Sequence, residues 1–267
     1  DNYPFCTIDP NIAYVEVPDQ RLDCLASVNK SEKVIKASIE FVDIAGLIKG
    51  ASKGEGLGNE FLSHINSTDV IAHVVRFFRD DDILHVKGQH NPYEDFQDIN
   101  LELILADLNT LSKYLERLKK SKMPPKEKDV LVTELENLIE HLSDDNFASS
   151  FHFSDELLSL NDLKLLTKKP MFIIANINDK TDENEVLEFQ KKISDNIRLV
   201  TIDVKLEQDI SDLDPNDQAD FMDEMGIKES ALTRIIRKGY ELLGLKTFFT
   251  SGPKETRAWA AKKDFNA

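Results

Sequence analysis

Residues 41–62 read FVDIAGLIKGASKGEGLGNEFL, and no other stretch constrains the fold as much. Ile39, Glu40, Phe41 and Val42 lead into it as a β-branched and aromatic run, which suits a strand. The run ends at Asp43, and Asp43-Ile44-Ala45-Gly46 fits D-x-x-G. Five glycines, at 46, 50, 54, 56 and 58, fall within thirteen positions, and the apolar spacing of Leu57, Phe61, Leu62 and Ile65 then predicts a helix. A carboxylate at a strand tip suits the water shell of a Mg²⁺ ion. A glycine just beyond it, Gly46, lets backbone N–H approach a γ-phosphate. The remaining glycines let the segment change shape when that phosphate leaves. An ordinary strand-to-helix loop needs fewer glycines, so the layout reads as the switch loop of a phosphate-binding nucleoside triphosphatase.

KGASKGEGLGN after VDIAGL, with NYPFCTIDPN upstream, resembles the YchF-type proteins, the Obg-related branch of the translation-factor P-loop NTPases. The resemblance runs from Asn2 to Trp259, nearly the whole chain. It implies an α/β fold: the mostly parallel sheet of a G domain, an inserted helical coiled-coil hairpin, and the start of a β-grasp TGS domain. The corresponding division is 1–94 and 169–245 for the G domain, 95–168 for the insert and 246–267 for the TGS segment. It also implies association with the ribosome or its large subunit.

Net charge is −16 and the isoelectric point is near 4.8, which opposes broad electrostatic binding to nucleic acid and gives no basis for a DNA-binding role. No apolar run approaches the ~20 residues of a membrane span. Cys6 and Cys24 are too few for a disulfide framework or metal cluster and read as reduced thiols, so a cytoplasmic monomer is expected.

Residues 2–11 read as a first switch loop, in which Thr7 offers a hydroxyl to Mg²⁺. A strand is expected at 12–17, a short helix at 21–28 and a strand at 37–42. G-x-x-x-x-G-K-[ST] occurs nowhere in the 267 residues. The family carries it upstream of N-Y-P-F-C-T-I, so the expectation is a chain shortened at its start, with weak nucleotide binding as it stands.

Residues 70–76, VIAHVVR, predict a buried parallel strand in which His73 is a satisfied core histidine. Phe77 and Phe78 follow at its carboxyl end, where open α/β sheets bind ligands. Core packing and stacking on a base both fit them, and the resemblance selects Phe78 for the base. Asp80, Asp81 and Asp82 read as a solvated turn. Apolar residues at 101, 104, 108, 111, 115 and 118 repeat at 3-4-3-4-3, and 131, 135, 138 and 142 continue the stripe on a second helix. Residues 121–126, with Pro124 and Pro125, break the two apart as an antiparallel hairpin. Its charged face (Lys113, Arg117, Lys119, Lys120, Lys122) is either solvated or a contact for an RNA-rich partner.

A third helix is expected at 155–166, a buried strand at 171–176 and another strand at 198–202. Asn176-Ile177-Asn178-Asp179 stands where such NTPases read the base. Strict GTPases carry N-K-x-D there, whereas Ile177 replaces the lysine and the YchF pattern N-x-x-E accompanies ATP. Asp179 departs from that pattern. Asp203-Val204-Lys205 is expected as a loop without the Ser-Ala pair that helps hold guanine. Helices are expected at 218–225 and 229–243, then a strand, turn and strand through 247–259 that is poorly ordered or exposed. Leu47 occupies the place where Ras-like GTPases put a water-orienting Gln. His85 is the replacement that the resemblance points to; a surface histidine without a role fits the residues equally well. The reading is a Mg²⁺-dependent nucleotide hydrolase with ATP preferred over GTP. An Obg-type GTPase switch and a non-enzymatic interaction module are the alternatives.

Overall fold

The computed structural model describes residues 11–44, 57–80, 90–158, 163–194 and 196–264. Its centre is a parallel sheet in the order β4 (Ile71–Arg76), β5 (Met171–Asn176), β6 (Arg198–Ile202). β5 is apolar at five successive positions, and its first five residues are buried, as a strand covered on both faces must be. One face packs on Phe96, Leu103 and Phe189, the other on Ala231 and Ile235. β4 is parallel as expected, but Val74 on it is 60% exposed. His73 packs against Phe96, with ring centroids 5.4 Å apart, yet among the described residues its buried Nδ1 has no hydrogen-bond partner. It is therefore a core histidine that is not satisfied.

β1 (Asn11–Glu16) and β3 (Ser38–Asp43) form an antiparallel ribbon, Asn11 opposite Asp43. Between them lies α1 (Gln20–Asn29), capped by Asp19, which accepts from Arg21 N–H. β3 rests on α9 (Ala231–Leu242) through Ile39 and Phe41. α9 buries Ala231 and Ile235 toward the parallel sheet and Ile236 and Tyr240 toward α1 and the C-terminal strands, so one helix joins the two layers.

α2 (Leu57–Ser67) precedes β4, and α3 (Pro92–Lys120) follows it as a single helix of 29 residues. α3 starts at Pro92, well before the leucine stripe that opens at Leu101, because Asn91 caps Glu94 N–H and Pro92 presets the first turn. α3 and α4 (Pro125–Ser143) pack through Ile104, Leu111, Leu118, Leu131, Leu135, Leu138 and Leu142. Leu101 is exposed, and the stripe's seam begins at Ile104.

The third expected helix is confined to α5 (Asp155–Leu158) among the described residues. Residues 163–165 are not helical, because Asp107 on α3 claims the backbone beyond them. Its carboxylate, 1% exposed, accepts Leu166 N–H (2.8 Å), Thr167 N–H (2.8 Å) and the Thr167 hydroxyl (2.6 Å). Lys169 follows and donates to the carbonyls of Ile65, Asn66 and Thr68 at the end of α2.

α6 (Glu183–Lys192), α7 (Val204–Ser211) and α8 (Pro215–Glu224) complete the helices. The C-terminal strands are ordered rather than poorly ordered, while Phe248 and Trp259 on them are exposed as the alternative expectation had it. β7 (Leu245–Ser251) and β8 (Glu255–Lys262) form a hairpin, and β8 also pairs in parallel with β2 (Lys33–Ile35), a strand too short for periodicity to reveal. Thr256, fully buried, shares hydroxyl contacts with Ser31 (2.7 Å) and Ser251 (2.6 Å), and Glu32 N–H donates to Pro253 O. Among the described residues no helix is long and apolar enough to cross a membrane.

Candidate functional site

The strands β4, β5 and β6 run parallel, so their carboxyl ends lie at one edge of the sheet. The backbone latches those ends together. Asn176 O accepts Phe77 N–H (2.8 Å) and Phe78 N–H (3.0 Å), while Ile177 N–H donates to Ile202 O (2.8 Å). β5 thus fixes where β4 and β6 leave the sheet.

The loop after Asn176 is held by two of its own side chains. Thr181 Oγ1 accepts Asn178 N–H (2.9 Å) and lies 3.1 Å from Asn178 Oδ1. Asn178 Oδ1 also accepts Lys180 N–H (3.2 Å), and its Nδ2 donates to Arg79 O (3.2 Å). Two candidate side chains are left without hydrogen bonds among the described residues: the half-buried Asn176 amide and the exposed Asp179 carboxylate. Ile177 contributes differently from expectation. Its side chain packs against the core that contains Phe77, and its N–H is spent on Ile202.

The two phenylalanines divide their roles. Phe77 is fully buried, edge-on to Phe189 at 5.1 Å. Phe78 is half-buried, and the Arg76 guanidinium lies 4.4 Å from its ring centroid. Arg76 Nε also donates to Phe78 O (3.2 Å). Of the pair, Phe78 is the partly exposed ring at the strand's carboxyl end, braced by a cation. Beside it Arg79 pairs with Glu185 (3.3 Å).

Asp43 is the last residue of β3 and is exposed, while Ile44 next to it packs on the same core as Phe77 and Ile177. A free carboxylate, outside any cluster of three or more ligand-type residues among the described residues, fits a Mg²⁺ ion that keeps most of its water. The structure therefore brings Asp43, Phe78, Asn176, Ile177 and Asp179 to strand ends that share one core. Thr7, Gly46 and His85 lie outside the described residues.

Sequence reasoning missed Arg76, Asn178, Thr181 and Asp203. Residues 203–205 are not a loop: Asp203 accepts Leu206 N–H (3.0 Å) and starts α7 at Val204. Its signal was available, since an Asp immediately before an acceptable first turn is a capping pattern. The pins at Asn178 and Thr181 have the Asx-turn chemistry of Asn and Thr.

The family model described as "50S ribosome-binding GTPase" matches residues 1–106. Over 263 residues the chain is 45% identical to the "Ribosome-binding ATPase YchF" of Pasteurella multocida, covering 97% of this chain and 72% of that protein. The Bacillus subtilis protein of the same name is 43% identical over 274 residues, covering 100% of this chain and 75% of the relative. The chain belongs to the YchF family. Its fold matches that of the Schizosaccharomyces pombe YchF GTPase with a TM-score of 0.84 and 33% identity, covering 100% of this chain and 74% of that one. The family is one of nucleotide hydrolases with a G-type domain. The printed names differ on the base, ATPase for the two bacterial proteins and GTPase for the fission-yeast one.

Proposed function

We propose that the reaction at this edge is Mg²⁺-dependent hydrolysis of a nucleoside triphosphate, with ATP preferred over GTP, by a cytoplasmic, monomeric protein that associates with the ribosome. The observation that carries the base preference is Ile177, which stands where strict GTPases place a lysine. The Asn176 amide, with one acceptor and two donors, serves either purine, through N6 and N1 of adenine or O6 and N1 of guanine. Ile177 turns its side chain into the core, so no lysine stem covers a guanine, and Asp203 is occupied in capping α7.

Phe78 supplies a braced ring face for the base. Asp43 and Thr7 are the residues for Mg²⁺, which when bound neutralises phosphate charge. Gly46 is the site of backbone approach to the γ-phosphate, and His85 orients the water in place of the Gln that Leu47 does not provide. The division into G domain, 95–168 insert and a TGS segment from 246 is part of the same reading, as is weak binding of nucleotide by these 267 residues, which contain no G-x-x-x-x-G-K-[ST]. The ribosome enters from the names of the relatives.

Competition of ATP and GTP for labelled ATP, in a YchF chain carrying both this 176–179 loop and a phosphate loop, tests the base preference. Tighter GTP binding overturns it and favours the Obg-type GTPase switch, the reading that Asp179 supports because a carboxylate is acceptor-only. Titration of Mg·ATP into the 267-residue chain tests the second part: micromolar affinity there refutes weak binding.

A further inference from the structure

Two charged groups that the hydrolysis reading leaves unused, Asp107 and Lys169, act on one short segment. Asp107 lies where α3 passes from the sheet core, which takes Leu103, to the hairpin core, which takes Leu111. Its partners at Leu166 and Thr167 are all donors, which suits an acceptor-only carboxylate. Thr167 carries the contact onward. Its Oγ1 accepts Ala148 N–H (3.1 Å), and its backbone O accepts Ser149 N–H (3.1 Å). Residues 148 and 149 lie on the chain's return from α4, so Thr167 ties the outgoing helix to the returning chain. Two positions on, the half-buried Lys169 donates to Ile65 O (2.7 Å), Asn66 O (2.8 Å) and Thr68 O. These carbonyls close α2, where the helix dipole favours a cation.

Stability alone does not require this arrangement. Apolar packing at position 107 would join α3 to residues 166–167 without desolvating a carboxylate. A carboxylate with three bonds fixes one register between the segments. Its charge also reaches Lys169: burial pulls that ammonium below its ordinary range, and the charges of Asp69 and Asp107 oppose the pull. The cation that closes α2 is therefore held in place partly by α3. α2 begins at Leu57, directly after the tract that contains Gly46, Gly50, Gly54 and Gly56. A helix of 11 residues is a stiff rod of about 16 Å, so a displacement at its start is felt at its end.

We propose that Asp107 and Lys169 couple α2 to the root of the helical hairpin, so that displacing α2 loosens the root and straining the root loosens α2. Linkage makes the two directions equal in free energy. The bonds carry the coupling without any nucleotide. That a nucleotide phosphate is what displaces α2 rests on the hydrolysis reading above.

The test is amide hydrogen exchange in the 267-residue chain without nucleotide, comparing residues 64–68 with β5. Asp107→Asn alters a side chain whose bonds go to residues 166 and 167 rather than to α2. It is expected to quicken exchange at 64–68 on the order of tenfold beyond any change in β5. Thr167→Val, which removes only a hydroxyl, is expected to act in the same direction to a smaller extent, and it carries the test if Asp107→Asn does not fold. On a Lys169→Met background, Asp107→Asn should add nothing at 64–68. Glu134→Gln is the control: that carboxylate, on α4, accepts Ser154 N–H and hydroxyl instead, and its loss should leave 64–68 as in the parent. Exchange at 64–68 that is unchanged in both variants, or that quickens only as much as β5, overturns the proposal. So does additive quickening with Lys169→Met, which puts the route outside Lys169. Equal quickening in Glu134→Gln also overturns it, by reducing the effect to general destabilisation. Since no nucleotide is present, failure of the hydrolysis reading would leave the result standing.

Discussion

His73 makes the acid stability of this protein a sharp test of how its sheet is packed. Burial alone pushes its imidazole down from 6.5 to about 4, with no charged neighbour contributing. Between those values the unfolded chain binds a proton that the folded chain refuses. Stability therefore falls as pH drops from 6.5 toward 4, and is unaffected by His73 above that window. A displacement of that size corresponds to about 3 kcal/mol, a large share of a typical domain's stability. Asp107 gives the opposite slope, since burial raises its carboxyl and the folded state holds that proton longer. Comparing the parent with His73→Leu cancels Asp107, which both contain. Urea unfolding from about pH 4 to 7.5 is the assay. The variant should lack the increment of about 3 kcal/mol between the two ends. Near pH 7 it should equal or exceed the parent, because the orphaned Nδ1 is gone, at about 1–3 kcal/mol for an unsatisfied buried group, against lost stacking on Phe96. Parallel pH curves for the two proteins would show that the folded state protonates His73 as readily as the unfolded chain does.

Asp107→Ala leaves the buried N–H groups of Leu166 and Thr167 without an acceptor, so denaturant melts should show a loss of about 3 kcal/mol. Asp107→Asn, which keeps one acceptor oxygen, should lose less. Lys169→Met removes a cation from the carbonyls closing α2; hydrogen exchange should quicken at residues 64–68 while β5 stays protected, and uniform quickening would argue against a local cap. In a YchF chain that turns over nucleotide, His85→Ala should lower kcat with nearly unchanged nucleotide Kd, the signature of a contact made in the transition state. Unchanged turnover would remove His85 from the reaction.

Features that depend on neighbours along the chain were legible in the residues alone. The apolar runs of β4 and β5 read as parallel strands, the leucine spacing read as a helical hairpin, and Asp43, Phe78 and Asn176 were placed at strand ends because a strand's exit is legible where its apolar run stops. Residue spacing encodes these features directly, since one helix face or one strand face repeats every few positions. Tertiary structure decided the rest. No local pattern shows that residues 33–35 pair with 255–257, because the three-residue strand β2 is stabilised by a partner more than 200 positions away. The same pairing orders the C-terminal hairpin, even though Phe248 and Trp259 on it stay exposed. Asp107 holds Leu166 and Thr167, at the end of the expected third helix, with a buried carboxylate from 59 and 60 positions back. At the candidate site, composition named the polar groups but not their availability. Among the described residues Asn176 and Asp179 stay free while Asn178, Thr181 and Asp203 are consumed, since a hydrogen bond depends on where the fold brings its second partner.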